Sequence, residues 1–122
     1  MSELDIPVLD LARALEAMDN DRELYGEILS LYLDSTTSLL DEMETQSQTE
    51  DMVSLKRSAH TLKSSSRTVG ALRLGSRSEH LEKNTPSLSA EETAGAISRL
   101  RSEFGQLCAA LFSEGFPIPV RH

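Results

Sequence analysis

Residues 52–70 read MVSLKRSAHTLKSSSRTVG. Met52, Leu55, Ala59, Leu62, Ser66 and Val69 fall 3, 4, 3, 4 and 3 positions apart, and Gly70 follows directly. That spacing keeps apolar or small side chains on one face of a 3.6-residue helix, the seam pattern of an antiparallel bundle. A glycine just past the last seam position is the common helix stop, because it adopts the left-handed conformation at little cost. The stretch therefore predicts a helix that opens near Thr49–Asp51 and closes at Gly70.

Working outward, the same periodicity recurs on both sides. Asp5 before Pro7 resembles a helix start, with Val8, Leu11, Leu15 and Met18 spaced along a short first helix. Asn20 with Glu23 reads as the next N-cap, and Leu24, Ile28, Leu31, Tyr32, Ser35, Leu39 and Met43 mark one face of a long helix fading at 46–49. Ala71, Leu74, Ser78 and Leu81 predict a fourth helix, stopped by Asn84–Pro86. Ser89 with Glu92 forms a capping box before the last long helix, whose face is Ile97, Leu100, Phe104, Leu107, Cys108 and Leu111. Short connections make successive helices antiparallel neighbours, so the expectation is an all-α, up-down four-helix bundle with a short additional N-terminal helix. Residues 1–122 read as one domain with a helical core at about 5–114, and the tail 115–122, with Pro117 and Pro119, frays or lies over the bundle end.

Composition agrees with helices. Aromatic residues make up only 4% and Trp is absent, so the core must be built from Leu, Ile, Val, Ala and Met. The single Cys108 cannot form an internal disulfide and sits among apolar neighbours, which suits a small core residue in a reducing compartment. No long apolar run is present and the N-terminus is acidic, so the expected location is the cytoplasm, with no membrane partner. The net charge of −8 excludes nucleic acid as the natural partner, since phosphate binding needs surplus Lys and Arg. That average conceals an asymmetry: residues 1–55 carry −12, residues 56–83 carry +5 and residues 84–122 carry −1. One basic segment inside an acidic protein needs a local cause.

His60 stands in that segment. It lies about 100° around the helix from the seam residue Ala59, on the flank of the bundle. Lys56, Lys63 and Arg67 follow it at −4, +3 and +7 and share its stripe, with Thr61, Ser64 and Ser65 as short polar neighbours. Neighbouring cations favour the neutral, nucleophilic imidazole, and they would offset the charge of a phosphoryl group placed on it. No general base is evident beside His60, which suits a group that receives phosphoryl from an activated donor. Spacing alone does not separate this from ordinary solvated surface. Metal binding lacks ligands at helical spacing: Arg57 and Arg77 stand where a Glu-x-x-His motif would need Glu before His60 and His80. His80 reads as a boundary residue of the fourth helix and His122 as a terminal one. There is no Gly-x-Ser-x-Gly elbow at Ser64–Ser66 and no phosphate-binding glycine loop, so no nucleotide site or cofactor of the chain's own is expected.

The run Ala59-His60-Thr61-Leu62-Lys63-Ser64-Ser65-Ser66, then Val69-Gly70-Ala71 and Leu81-Glu82, closely resembles the histidine-containing phosphotransfer (HPt) family. The resemblance implies that His60 is the phospho-acceptor and Lys63 the lysine that stabilises the phosphoryl group. It implies that Ser64 occupies a position often held by Gly, kept small for a partner's approach. Gly70 matches the glycine closing the motif helix, and Glu82 falls where members can place a polar side chain near the histidine. Arg67-Thr68 departs from a more usual small-residue-then-Asn pair, adding a cation that bears on partner choice. The implied partners are receiver domains of response regulators and of hybrid histidine kinases, whose acidic pocket, with Mg in the partner, complements the +5 segment. Lys56, Ser64, Arg67, Gly70 and Glu82 are then supporting or partner-surface residues, and Leu40 or Met43 could add an apolar contact.

The function expected on this basis is a monomeric phosphorelay carrier, not an enzyme, that takes a phosphoryl group from a receiver aspartate or a kinase and passes it to a response regulator. One alternative is a non-phosphorylated helical bundle that binds receivers by surface complementarity. Another is the dimerisation and phospho-acceptor domain of a kinase. That class would want an acidic residue after the histidine and a nearby proline, whereas Thr61 follows and no Pro lies between Pro7 and Pro86.

Overall fold

The computed structural model describes residues 5–118. Within them are five α-helices and no strand: α1 Leu11–Ala17, α2 Arg22–Gln48, α3 Met52–Thr68, α4 Leu72–Asn84 and α5 Ala90–Ser113, with a 3₁₀ turn at Thr85–Ser87 after α4. Side chains cap four of the five starts. Asp10, Asp21 and Asp51 accept from the backbone N–H three residues on, and Ser89 and Glu92 form the reciprocal capping box. Each such cap contributes about 1 kcal/mol by satisfying an otherwise orphaned donor. The caps of α1 and α2 thus fall on Asp10 and Asp21 rather than on Asp5 and Asn20. Asn20 instead sits at φ 59 in the turn that ends α1.

α2 packs against α3 and α5, and α4 packs against the same two, closing a ring, while α1 leans on α2. The pairs that link them run in opposite order. Tyr25 and Tyr32 near the start of α2 bond Val69 and Ser66 at the end of α3, whereas Gln46 near the end of α2 meets Ser58. Ser47 bonds Thr93 near the start of α5, and Arg22 reaches Glu114 at its far end. Leu55, Ala59, Leu62 and Ser66 of α3 are fully buried, as are Ala71 just before α4 and Leu74, Ser78 and Leu81 within it, each at 1% exposure or less. These are the seam positions read from the sequence. Buried Glu103 of α5 accepts from Arg77 of α4 at 3.0 Å, an ion pair inside the seam.

The buried face of α2 is turned from the expected one. Tyr25, Leu29, Tyr32, Leu33, Thr36, Leu40, Met43 and Ser47 point inward, while Leu24, Leu31 and Ser35 are exposed. α2 touches both α3 and α5, so its apolar surface is broad, and a single stripe drawn through Leu31 misplaces its centre by about one residue. In consequence Leu40 and Met43, at 1% and 0% exposure, cannot reach a partner. In α1 only Ala14 is buried, with Val8, Leu11, Leu15 and Met18 partly covered. Cys108 and Phe104 are likewise half-buried, and burial pushes the Cys108 thiol up. After α5, Phe116 is buried edge-on against Tyr25, at 5.1 Å between ring centres, beneath the Arg22 guanidinium. The chain at 115–118 therefore lies over the bundle end. The remainder of the expected tail, His122 included, is outside the described residues.

α3 ends in a Schellman turn. Gly70 takes φ +83, its N–H bonds the Arg67 carbonyl at 3.2 Å, and the Ala71 N–H bonds Ser66 at 2.8 Å. The turn is also crossed by the N-terminal segment. Asp10 N–H donates to the Gly70 carbonyl at 2.8 Å, and the Arg73 N–H and Nε donate to the carbonyls of Pro7 and Ile6. α4 has no side-chain cap, so the Pro7 carbonyl satisfies a donor of its first turn. The crossing is tight: a Cβ on Gly70 would stand 2.6 Å from the Asp10 carbonyl oxygen and 3.2 Å from Ala14 Cβ. Gly70→Ala combines left-handed strain with that collision and should lower stability by about 2 kcal/mol or more, read from the urea unfolding midpoint. Glu50 also occupies the left-handed region, at φ 55 after α2. Glu50→Gly should shift the midpoint upward by roughly 0.5–1 kcal/mol.

Candidate functional site

The α3–α4 turn fixes which residues of the two helices stand opposite each other. His60 lies ten residues before Gly70 and Glu82 twelve after it, so the two sit at similar heights along antiparallel helices. Lys63 stands one turn from His60 on α3. The Glu82 carboxylate spans both: Oε2 lies 2.6 Å from His60 Nδ1, and Oε1 accepts from Lys63 Nζ at 2.6 Å. Lys63 and Glu82 are each 17% exposed, whereas the His60 side chain is 59% exposed. The pair is held in the α3–α4 groove and the imidazole projects from it.

Electrostatics follow from that placement. The Lys63 ammonium, bonded to it, holds the Glu82 carboxyl below the usual carboxylate range; the His60 bond acts in the same direction and partial burial opposes both. An ionised carboxylate only accepts, so the Nδ1 that it touches carries the ring proton. In the neutral ring Nε2 is then the nitrogen with the free lone pair, and it is the one turned away from Glu82.

The residues singled out by sequence do not all gather here. Lys56 and Ser64 are exposed on α3 a turn to either side of His60. Arg67 is turned to α4, where it donates to Glu79 at 2.9 Å, and Lys83 lies 3.5 Å from the other oxygen of Glu79. Those two cations hold the Glu79 carboxyl low in turn. Of the expected row of cations, Lys63 and Arg67 therefore stand in a ladder of pairs, Lys63 and His60 on Glu82, Arg67 and Lys83 on Glu79, while Lys56 stays exposed. Gly70 closes the turn rather than facing the site. His80 is exposed on α4. Beside Thr61 a shallow groove is lined by Asp34, Ser35, Ser38, Leu39 and Glu42 of α2, and Leu31, 71% exposed, is one turn from Ser35. That apolar contribution was hidden by the misplaced α2 stripe. No group of three potential metal ligands occurs among the described residues, and no helix there is long and apolar enough to cross a membrane.

Residues 27–111, well over half of the chain, match the model of the Hpt domain, and the chain belongs to that family. The fold is shared with the crystal structure of a rice protein described as a candidate histidine-containing phosphotransfer protein, with a TM-score of 0.73 over 82% of this chain and 75% of that one. Identity to it is 20%, so the likeness is one of fold. No curated protein sequence matches the chain.

The Glu82 clamp should register in acid. Its carboxyl is depressed in the folded state, so it contributes stability that is complete above its ordinary value of 4.5 and is lost as pH falls through the lower folded value. Glu82→Gln should therefore flatten the fall in urea midpoint as the pH drops below 4.5, relative to wild type. Superimposable acid profiles would show that the clamp is open in solution.

Proposed function

We propose that the chain is a phosphorelay intermediate that accepts a phosphoryl group on Nε2 of His60 and returns it to an aspartate of a second protein. The observation that carries this reading is the Glu82 carboxylate bonded at once to His60 Nδ1 and Lys63 Nζ. Nε2 attacks the phosphorus of an acyl phosphate; the N–P bond forms as the P–O bond to the donor carboxylate breaks, and the carboxylate leaves. No proton has to be removed for this step. Positive charge that develops on the ring is shared with Glu82 through the Nδ1 proton, and the reverse sequence releases the neutral imidazole. Lys63, three residues on, is within one helical turn of the phosphoryl oxygens and offsets their charge. Positioning and charge are what phosphoryl transfer chiefly demands, and a rigid two-helix groove supplies both.

The partners on this reading are receiver domains of response regulators and hybrid histidine kinases, which bring the Mg ion and the activated acyl phosphate themselves. The chain is a carrier without its own nucleotide site, working as a cytoplasmic monomer in which residues 5–114 form one module. In that module α2 to α5 run up and down and α1 covers the α3–α4 turn. The opposite order of the α2–α3, α2–α5 and α3–α4 pairs supports this topology. Exposed Leu31, with the small side chains Ser35, Ser38, Thr61 and Ser64, offers the low, partly apolar ground on which a receiver would settle around His60.

Incubation with a phosphorylated receiver should place acid-labile phosphate on the wild-type chain and none on His60→Ala; equal labelling of the two would sink the proposal. Lys63→Ala should slow transfer or shorten the phosphohistidine lifetime by about tenfold, the effect of one charge-assisted contact, with the fold retained. An unchanged transfer rate would leave Lys63 as Glu82's counter-ion alone.

A further inference from the structure

We infer that the groove between α1 and the end of α3 is a second anchoring point for the phosphotransfer partner, built to take an acidic side chain flanked by apolar ones; the inference rests on His60 being the site of transfer. The groove has a volume of about 430 Å³. Ala14, Ala17, Met18 and Leu72 give it apolar walls, Arg13 and Arg67 give it two cations, and no carboxylate lines it. In a chain of net charge −8, a pocket with that lining selects for negative charge. Arg67 already donates to Glu79, so Arg13, exposed on α1, supplies the charge that a partner would meet.

Its position ties it to the transfer site. Arg67 is seven residues past His60, hence on the same side of α3 and about 10 Å further along it. A standard interface covers about 800 Å² on each partner, a patch roughly 30 Å across. A receiver centred on His60 therefore reaches the Arg67 edge of the groove. One wall of the groove is α1, Leu11–Ala17, which lies outside the residues 27–111 that match the family model. The imidazole, lysine and carboxylate of the transfer site lie inside that range. The groove is thus placed to distinguish one receiver from another by contacts separate from the chemistry, which any phosphorylatable aspartate could use.

The test uses the full chain with Arg13→Glu and with Ala17→Trp, which fills the groove from the exposed side of α1. Affinity for a receiver that exchanges phosphoryl with the chain is measured by calorimetry at two ionic strengths. Labelling of His60 by a small phosphoramidate donor is measured in parallel. Arg13→Glu should weaken receiver binding about tenfold at low salt, with the gap narrowing as salt rises; Ala17→Trp should weaken it at both. Both variants should be labelled by the small donor as fast as wild type. Receiver affinities unchanged by both substitutions would overturn the groove as an anchor. So would wild-type self-association that Arg13→Glu abolishes, since a second copy would then be the occupant. Failure of the small donor to label wild-type His60 would count against the reading of that histidine, and is distinct from any change in receiver affinity.

Discussion

The arrangement depends on one backbone crossing. The segment before α1 passes over the α3–α4 turn so closely that Gly70 has no room for a side chain, and it donates to and accepts from that turn at Gly70 and Arg73. The crossing supplies the cap that α4 lacks and sets the register of α4 on α3. Register then decides chemistry. A slip of one residue along α4 would rotate Glu82 by about 100° and carry it away from the α3 groove. The clamp on His60 and Lys63 is therefore a distant result of a contact made about 15 Å away along the helices.

The paired ladder on α3 and α4 changes how the basic segment is understood. Residues 56–83 carry a net +5, yet Lys63 and Arg67 are both paired, and Glu82 and Glu79 each take two partners. The surplus positive charge lies around the rim, while the groove itself is internally balanced. A balanced groove avoids leaving desolvated charge unpaired, at a cost in raw attraction for the phosphoryl group. Phosphorylation would then have to redistribute Lys63 between Glu82 and the new oxygens.

Much of this was legible in the sequence because the helices obey period. The α3 and α4 seams, the stop at Gly70 and the capping box at Ser89 are local signals, and each stands where the spacing placed it. The α2 face was blurred because that helix meets two neighbours, so Leu31 was assigned inward and Leu40 and Met43 toward a partner. Glu103 escaped for a different reason: a buried carboxylate interrupts an apolar stripe, and only the facing helix reveals the Arg77 that makes it tolerable. At the candidate site, His60 and Lys63 share a helix and could be paired by spacing. Their joint dependence on Glu82 could not be, because a hydrogen bond across two helices is set by register, which residue type does not encode. The same holds for Arg67, whose partner Glu79 lies across the hairpin.

The two tyrosines give the scaffold an optical signature. The chain has no Trp and two Tyr, both on α2, and their hydroxyls bond Val69 and Ser66 on α3. Burial pushes both phenols up to about 12. Near-ultraviolet tyrosine absorbance and fluorescence therefore observe the α2–α3 seam between Ser66 and Val69, toward the Gly70 end of the bundle. A partner landing on the histidine face would leave that signal largely silent. Separation of α3 from α2 would announce itself at once, so this light reads the integrity of the platform independently of the traffic across it.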